Sequence, residues 1–316
     1  MDMINENKFL SLTITAGLSM VLITSVIVLA VSCKKNDDMP PANAINAASA
    51  PSDIITTGIS QPEPAPSADT TTQTPADPID LSAEAQGSQI PLLLQTDDRW
   101  SNNSFAGSTI GAAGCGPTCL SMAALYLTGD ATYTPAYMAS YADSNGYSNN
   151  GDGSTWELIT QGAESIGLSC AEVPLEKTVM MRLATAGIPM ICSMGPGTFT
   201  AEGHYIVITG VSDGKFTVND PNSAEKSAAT YSFEELKDQI RNTWALYGSR
   251  LSSLEYTVTE SGINVRDDAS ISSNVKYRAS VEKRFTIDKI ANGGGYVWGH
   301  MNDGNWICLS YVKKAV

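Results

Sequence analysis

The 316-residue sequence has only two histidines, and none of its six cysteines forms a C-x-x-C pair. Structural zinc needs four Cys or His ligands, usually in closely spaced pairs, so no metal and no cofactor are expected. Clustered cations are missing too. No Lys or Arg occurs between Asn36 and Asp98, residues 91–250 carry 16 acids against 8 bases, and the formal net charge is −14. Phosphate contacts need grouped Lys and Arg, so nucleic acid is excluded as a partner. Aromatic residues are absent from 36–88, which holds eight of the fifteen prolines and many Ala, Ser and Thr. Such a composition buries too little apolar surface to offset its ordering entropy, and residues 36–89 are expected to be a disordered tether.

Residues 9–32 carry no charge, and a bilayer span needs roughly 20 apolar residues. Residues 1–35 are therefore expected to be an export signal, a membrane anchor, or both. The run ends in Ala30-Val31-Ser32-Cys33, which loosely resembles a lipoprotein lipobox, so a lipidated Cys33 and a plain transmembrane helix both stay open. Lys34 and Lys35 follow the run and Lys8 precedes it, an asymmetry that by itself favours a cytoplasmic C-terminal side. A membrane segment followed by a Pro-rich tether favours the opposite side, the outer surface of a bacterial cell, and this is the localisation expected.

The folded part is expected to begin with a short strand at Ile90–Gln95. Gly114-Cys115-Gly116-Pro117 then opens an apolar helix, with Pro117 in its first turn and the glycines leaving the approach to Cys115 clear. Leu120, Ala123, Ala124 and Leu127 give that helix core spacing. Ser154 with Glu157 reads as a capping box for a helix reaching Ile166. A helix over Met180–Ala186 stops at Gly187, and Ile188–Cys192 reads as a buried strand. His204–Val211 and Lys215–Asp220 flank Ser212-Asp213-Gly214, a hairpin signal. Charged, helix-prone sequence from Ser232 to Arg241 closes the region. From Leu251 the short strands 255–259, 263–266, 285–290, 296–300 and 306–309, separated by Gly, Asn and Asp, predict a small all-β barrel. For Cys119, Cys170 and Cys192, one bridge and buried free thiols both remain open; Cys119 reads as a small core residue.

The chemistry gathers on three residues. Cys115, at the mouth of a helix, sits where the dipole and unpaired N–H groups favour thiolate. Folding about the 212–214 turn brings His204 nearly opposite Asp220. Nucleophilic cysteine catalysis needs a thiolate, an imidazole beside it, and a group that fixes the imidazole tautomer.

Gly-Cys115-Gly-Pro-Thr-Cys-Leu-Ser-Met-Ala, Gly203-His204-Tyr-Ile-Val-Ile-Thr-Gly210 and Val218-Asn-Asp220-Pro221, preceded by Gln95-Thr-Asp97-Asp-Arg-Trp100, resemble the papain-fold cysteine peptidases of the bacteriocin-processing, double-glycine-peptidase-like group. The resemblance covers about 90–250. It implies an α+β papain-like domain with Cys115 as nucleophile, His204 as base and acid, Asp220 as orienting residue, and Gln95 as oxyanion-hole candidate, although Gln95 lies 20 residues before Cys115. Residues 251–316, with Asn264-Val265-Arg266 and Asn305-Trp306-Ile307, resemble bacterial SH3-type domains, which often bind wall peptides. That implies an SH3-like barrel in which Tyr296, Trp298 and Trp306 either form a substrate-binding groove or fill the barrel core. His300, with no cysteine-bearing helix near it, reads as non-catalytic.

The layout expected is thus anchor (1–35), linker (36–89), peptidase domain (90–250) and barrel (251–316). The function expected is a cell-surface cysteine peptidase acting on peptide or protein. A peptidoglycan stem-peptide hydrolase, acyl transfer to an amine, and a non-catalytic wall-binding adhesin or sensor are the alternatives.

Overall fold

The helix Cys115–Thr128 carries no charged residue on any face, and every residue from Gly116 to Leu125 is buried. A helix without a polar face has to be enclosed on all sides, and the rest of the chain wraps it. The structure, a computed structural model, describes residues 79–315; the expected anchor and most of the expected linker lie outside them. Among the described residues no helix is long and apolar enough to cross a membrane.

The linker boundary needs correction. Residues 79–89 are folded: Ser82–Gln86 is a short helix, and Leu81 and Ala85, four apart and fully buried, join the core. The Arg250 guanidinium donates to the carbonyls of Ala85 and Gly87, tying this helix to the far end of the domain. Two apolar residues at helical spacing suffice to dock a segment whose composition otherwise reads as tether. Ile90–Gln95 is not a strand. It runs extended beside the hairpin, held by Asn219 Nδ2 donating to the Ile90 and Pro91 carbonyls and by the Gln95 N–H donating to Pro221 O (2.7 Å).

One face of the fold is a six-stranded antiparallel sheet. Its order is Ser169–Glu172, Ile240–Tyr247, Met190–Met194, His204–Ser212, Lys215–Asn219 and Thr230–Tyr231. Met190–Met194 is buried throughout, as its apolar run predicts. The hairpin turn is Asp213-Gly214, both at positive φ (49° and 74°), the two-residue geometry that matches strand twist. The Ile240–Tyr247 strand begins at the end of the helix-prone stretch Ser232–Arg241 that was expected to close the region. The helix there is only Phe233–Leu236, started by a Ser232–Glu235 capping box, after which a run buried from Thr243 to Tyr247 fills the sheet interior. The helix expected from Ser154 to Ile166 is also broken. Ser154 ends a two-residue strand, Trp156–Leu158 is one 3₁₀ turn, and Gln161–Ser165 is a separate helix, with no capping bond from Ser154.

After Leu251 the chain is all β, with a five-stranded antiparallel sheet and a separate pair of Tyr256–Val258 with Val312–Lys314. Strands Val275–Ala279 and Val312–Lys314 were not anticipated; both are mostly exposed, so they lack an apolar signal. This region packs on the peptidase region as one compact unit. Asn292 reaches across to pair both ways with the Glu172 backbone at 2.7 Å, and Ser169 Oγ accepts the Ile290 N–H.

Since Leu81 is fully enclosed, Leu81→Ala should cost about 2–5 kcal/mol. The measurement is the urea midpoint at unchanged m-value; a midpoint equal to wild type would show that residues 79–87 contribute nothing to the core.

Candidate active site

Cys115 is the first residue of the buried helix. Its N-cap, Gly114, offers no side chain to the free N–H groups of the first turn, so the positive end of the helix dipole is left to whatever occupies the cleft. The flanking glycines have a different reason from the one expected. A Cβ at Gly114 would collide with Ile110, and one at Gly116 with Ser154 Oγ. They let neighbouring segments close on the helix start.

His204 begins its strand, 8% exposed, paired with Met194 on the neighbouring strand. Its Nε2 meets Asp220 Oδ1 at 2.7 Å. Asp220 is not on a rung opposite His204: pairing ends at Val207–Asn219, and that register continued would set Asp220 against Ile206. The carboxylate instead reaches back diagonally from the turn after the strand. Asp220 is fully buried, Oδ1 also accepts the Asn222 N–H (2.8 Å), and the Asp220 N–H donates to Ser227 Oγ (2.8 Å). Its Oδ2 has no partner.

Burial alone would push the His204 imidazole down. The hydrogen bonds of Asp220 and of Cys115, reinforced by their charges, outweigh it and push His204 up to about 9. With Nε2 engaged by Asp220, Nδ1 is the nitrogen left for the sulfur. The five described cysteines are unbridged. Burial raises Cys119 well above an ordinary thiol, Cys170 and Cys192 to about 12, and Cys308 upward as well.

Cys115, His204 and Gln95 line one cleft of about 560 Å³. Gln95 is 4% exposed; Nε2 donates to Gly111 O at 3.0 Å, which leaves one amide hydrogen free, and Oε1 has no partner. The chain thus brings together all four residues singled out in the peptidase region. Sequence reading missed the rest of the lining, notably Asp152, Trp156, Ser193, Glu202 and Tyr205. Trp156 was hidden inside the stretch read as a continuous helix. Asp152 and Glu202 sit in irregular segments that carry no pattern.

The aromatic trio of the C-terminal region does not form one groove. Tyr296 and Trp298 line a cavity of about 310 Å³ with Arg266 and Tyr311, but Trp298 is 2% exposed and its indole N–H is tied to Gly293 O. Trp306 stands apart against His300, ring centroids 4.9 Å away, and His300 is held by Asp288 at 2.8 Å. A larger cavity of about 650 Å³ lies between the two regions and has no Cys or His in its wall.

A folded His204 value near 9 exceeds the roughly 6.5 of an unfolded histidine. The stability from its charge is therefore complete below about pH 6.5 and is lost as pH rises through 9. In Asp220→Asn the imidazole should titrate at lower pH, followed by NMR with His300→Gln for assignment. An unchanged midpoint would remove Asp220 as a cause of the shift.

Residues 88–252 match the Peptidase_C39 like family. Among solved structures, the chain is similar to the peptidase domain of Streptococcus ComA, a bi-functional ABC transporter involved in a quorum-sensing pathway, at 20% identity, over 44% of this chain and 93% of that one, with a TM-score of 0.36. It is also similar to a putative C39-like peptidase from Bacillus anthracis, at 13% identity, over 54% and 98%, with a TM-score of 0.35. Ly7917 covers 72% of this chain and 91% of its own, at 17% identity and a TM-score of 0.24. No curated protein matches. The family match spans just over half of the sequence, and the chain belongs to the Peptidase_C39-like family.

Proposed function

We propose that the chain is a cysteine peptidase in which Cys115 is the nucleophile, His204 the proton carrier and Asp220 the residue that orients it. The observation that carries this is the double engagement of His204, by Asp220 at 2.7 Å and by Cys115, on the wall of an open cleft. The thiolate attacks the scissile carbonyl carbon, and the carbonyl oxygen becomes an oxyanion within reach of the free Gln95 amide hydrogen and the uncapped helix start. The C–N bond breaks as the imidazolium gives its proton to the departing amine. Neutral His204 then takes a proton from water, hydroxide adds to the thioester, and the acid leaves as the proton returns. Asp220, holding Nε2–H, keeps Nδ1 directed at the sulfur throughout.

The surrounding assignments belong to the same proposal: residues 1–35 as the anchor, the outer surface of a bacterial cell as the location, and the C-terminal unit as an SH3-like wall-binding barrel. The cavity beside Tyr296 is large enough to hold a short peptide and favours peptidoglycan stem peptides as the second substrate reading.

Alkylation by iodoacetamide at about pH 6, mapped by mass spectrometry, tests the site. Cys115 should label at least tenfold faster than the buried thiols, and that advantage should vanish in His204→Ala. Slow labelling indifferent to His204 would leave a non-catalytic wall-binding protein as the better reading. Cys115→Ala should abolish hydrolysis without changing the unfolding free energy by more than about 1 kcal/mol.

A further inference from the structure

On the peptidase reading above, we propose that the cleft selects substrates bearing a free cationic side chain next to the scissile bond, recognised by Trp156 together with Asp152 and Glu202. Trp156 carries the argument. It is the one exposed tryptophan among the described residues, 47% exposed, and it lines the cleft that holds Cys115. Its ring is not free to swing. The indole N–H donates to Ser193 Oγ (3.3 Å), and the ring packs edge-to-face on buried Trp244, centroids 5.3 Å apart and planes at 69°. A large aromatic surface fixed by two neighbours and left open to a substrate cleft is a preformed platform, and an indole face attracts cations more strongly than any other side-chain ring.

The charge of the lining points the same way. Asp152, in the turn between Asn149 and Gly153, and Glu202, in the loop before His204, are both exposed. Neither carboxylate has a hydrogen bond or ion pair from any described residue, and no Lys or Arg lines the cleft. Its single basic group, His204, is already engaged by Asp220 and Cys115. A site with surplus negative charge and a fixed aromatic face is best satisfied by a lysine-like, arginine-like or diamino-acid side chain. An acidic side chain would meet unscreened like charge, and a neutral one would gain only the contact with the ring.

The experiment compares four fluorogenic peptides that differ only beside the scissile bond, carrying Lys, Nε-acetyl-Lys, norleucine or Glu. The Lys peptide should show kcat/KM about tenfold above its acetylated twin, with Glu the poorest. That ratio should shrink at high salt. It should fall towards one in Asp152→Asn/Glu202→Gln, and Trp156→Leu should reduce it with the carboxylates intact. A Lys to acetyl-Lys ratio near one in the wild type, or a ratio that survives the double substitution, overturns this inference and leaves the peptidase reading standing. Cleavage of none of the four overturns the peptidase reading and this inference with it.

Discussion

The pairing of Asp220 with His204 is the constraint around which the site is built. A fully buried carboxylate is tolerated only when hydrogen bonds replace its lost hydration; Asp220 Oδ1 obtains them from His204 Nε2 and the Asn222 N–H, while the Asp220 backbone N–H donates to Ser227 Oγ and holds the turn. The turn, the strand start and the imidazole are therefore fixed together. Because the ring is held through one nitrogen, the direction of the other is fixed, and Cys115 is a further hydrogen-bond partner of the same ring. The energetics run in both directions: the carboxylate needs the imidazolium, and the imidazolium, raised to about 9, needs the carboxylate against its own burial. Removing either partner strands a charge in a site with little water to receive it.

A second constraint is closeness at the start of the central helix. Helix termini normally cover their free N–H groups with a capping side chain. Here Gly114 supplies none, and the glycines on either side of Cys115 admit Ile110 and Ser154 instead. The helix start is packed tightly from the flanks and left open toward the cleft. Packing of this kind fixes the sulfur's position without spending the dipole on a cap, which a capping Ser or Asp would have done.

Much of this was legible before the structure. The Gly-Cys-Gly-Pro turn, the Asp213-Gly214 hairpin and the buried Met190–Met194 run are local signals, and local signals survive folding. What failed depended on tertiary context. The helix-prone stretch Ser232–Arg241 has a true helix start but its helix stops at Leu236, and the strand Ile240–Tyr247 after it gives no alternation because it is buried continuously from Thr243 to Tyr247. Turn-counting sets Asp220 only near His204: with pairing ending at Val207–Asn219 it would face Ile206, and a diagonal reach makes the hydrogen bond. The lining of the cleft was least visible of all. Trp156 and Glu202 come from segments without periodicity and meet only because the sheet and the central helix bring their loops together. The aromatic trio was left open between a groove and a core, and no local signal divides it: one ring is buried with its N–H tied to Gly293 O, while another packs at a tilt against a histidine.

The joint between the two folded regions bears on how a wall-binding unit could serve a peptidase. Relative motion is the ordinary expectation for small inter-domain contacts. In this chain the backbone N–H and carbonyl of Glu172, at the end of the edge strand Ser169–Glu172, are taken up by the Asn292 amide, which donates to and accepts from Glu172 as a strand partner would. Deeper in, the Tyr247 hydroxyl lies between the carbonyls of Leu251 and Ile287, at 2.9 and 3.1 Å, with Tyr256 beside it, so one buried phenol belongs to both regions. Sliding one region over the other would unpair groups that water cannot reach, at a cost of about 1–3 kcal/mol each. The cleft and the Tyr296 cavity are thus held at a set separation. Two sites joined rigidly raise affinity for a ligand that spans them and give nothing to one whose spacing does not match; on the proposed reading, the joint would itself contribute to specificity by admitting only wall fragments of matching length.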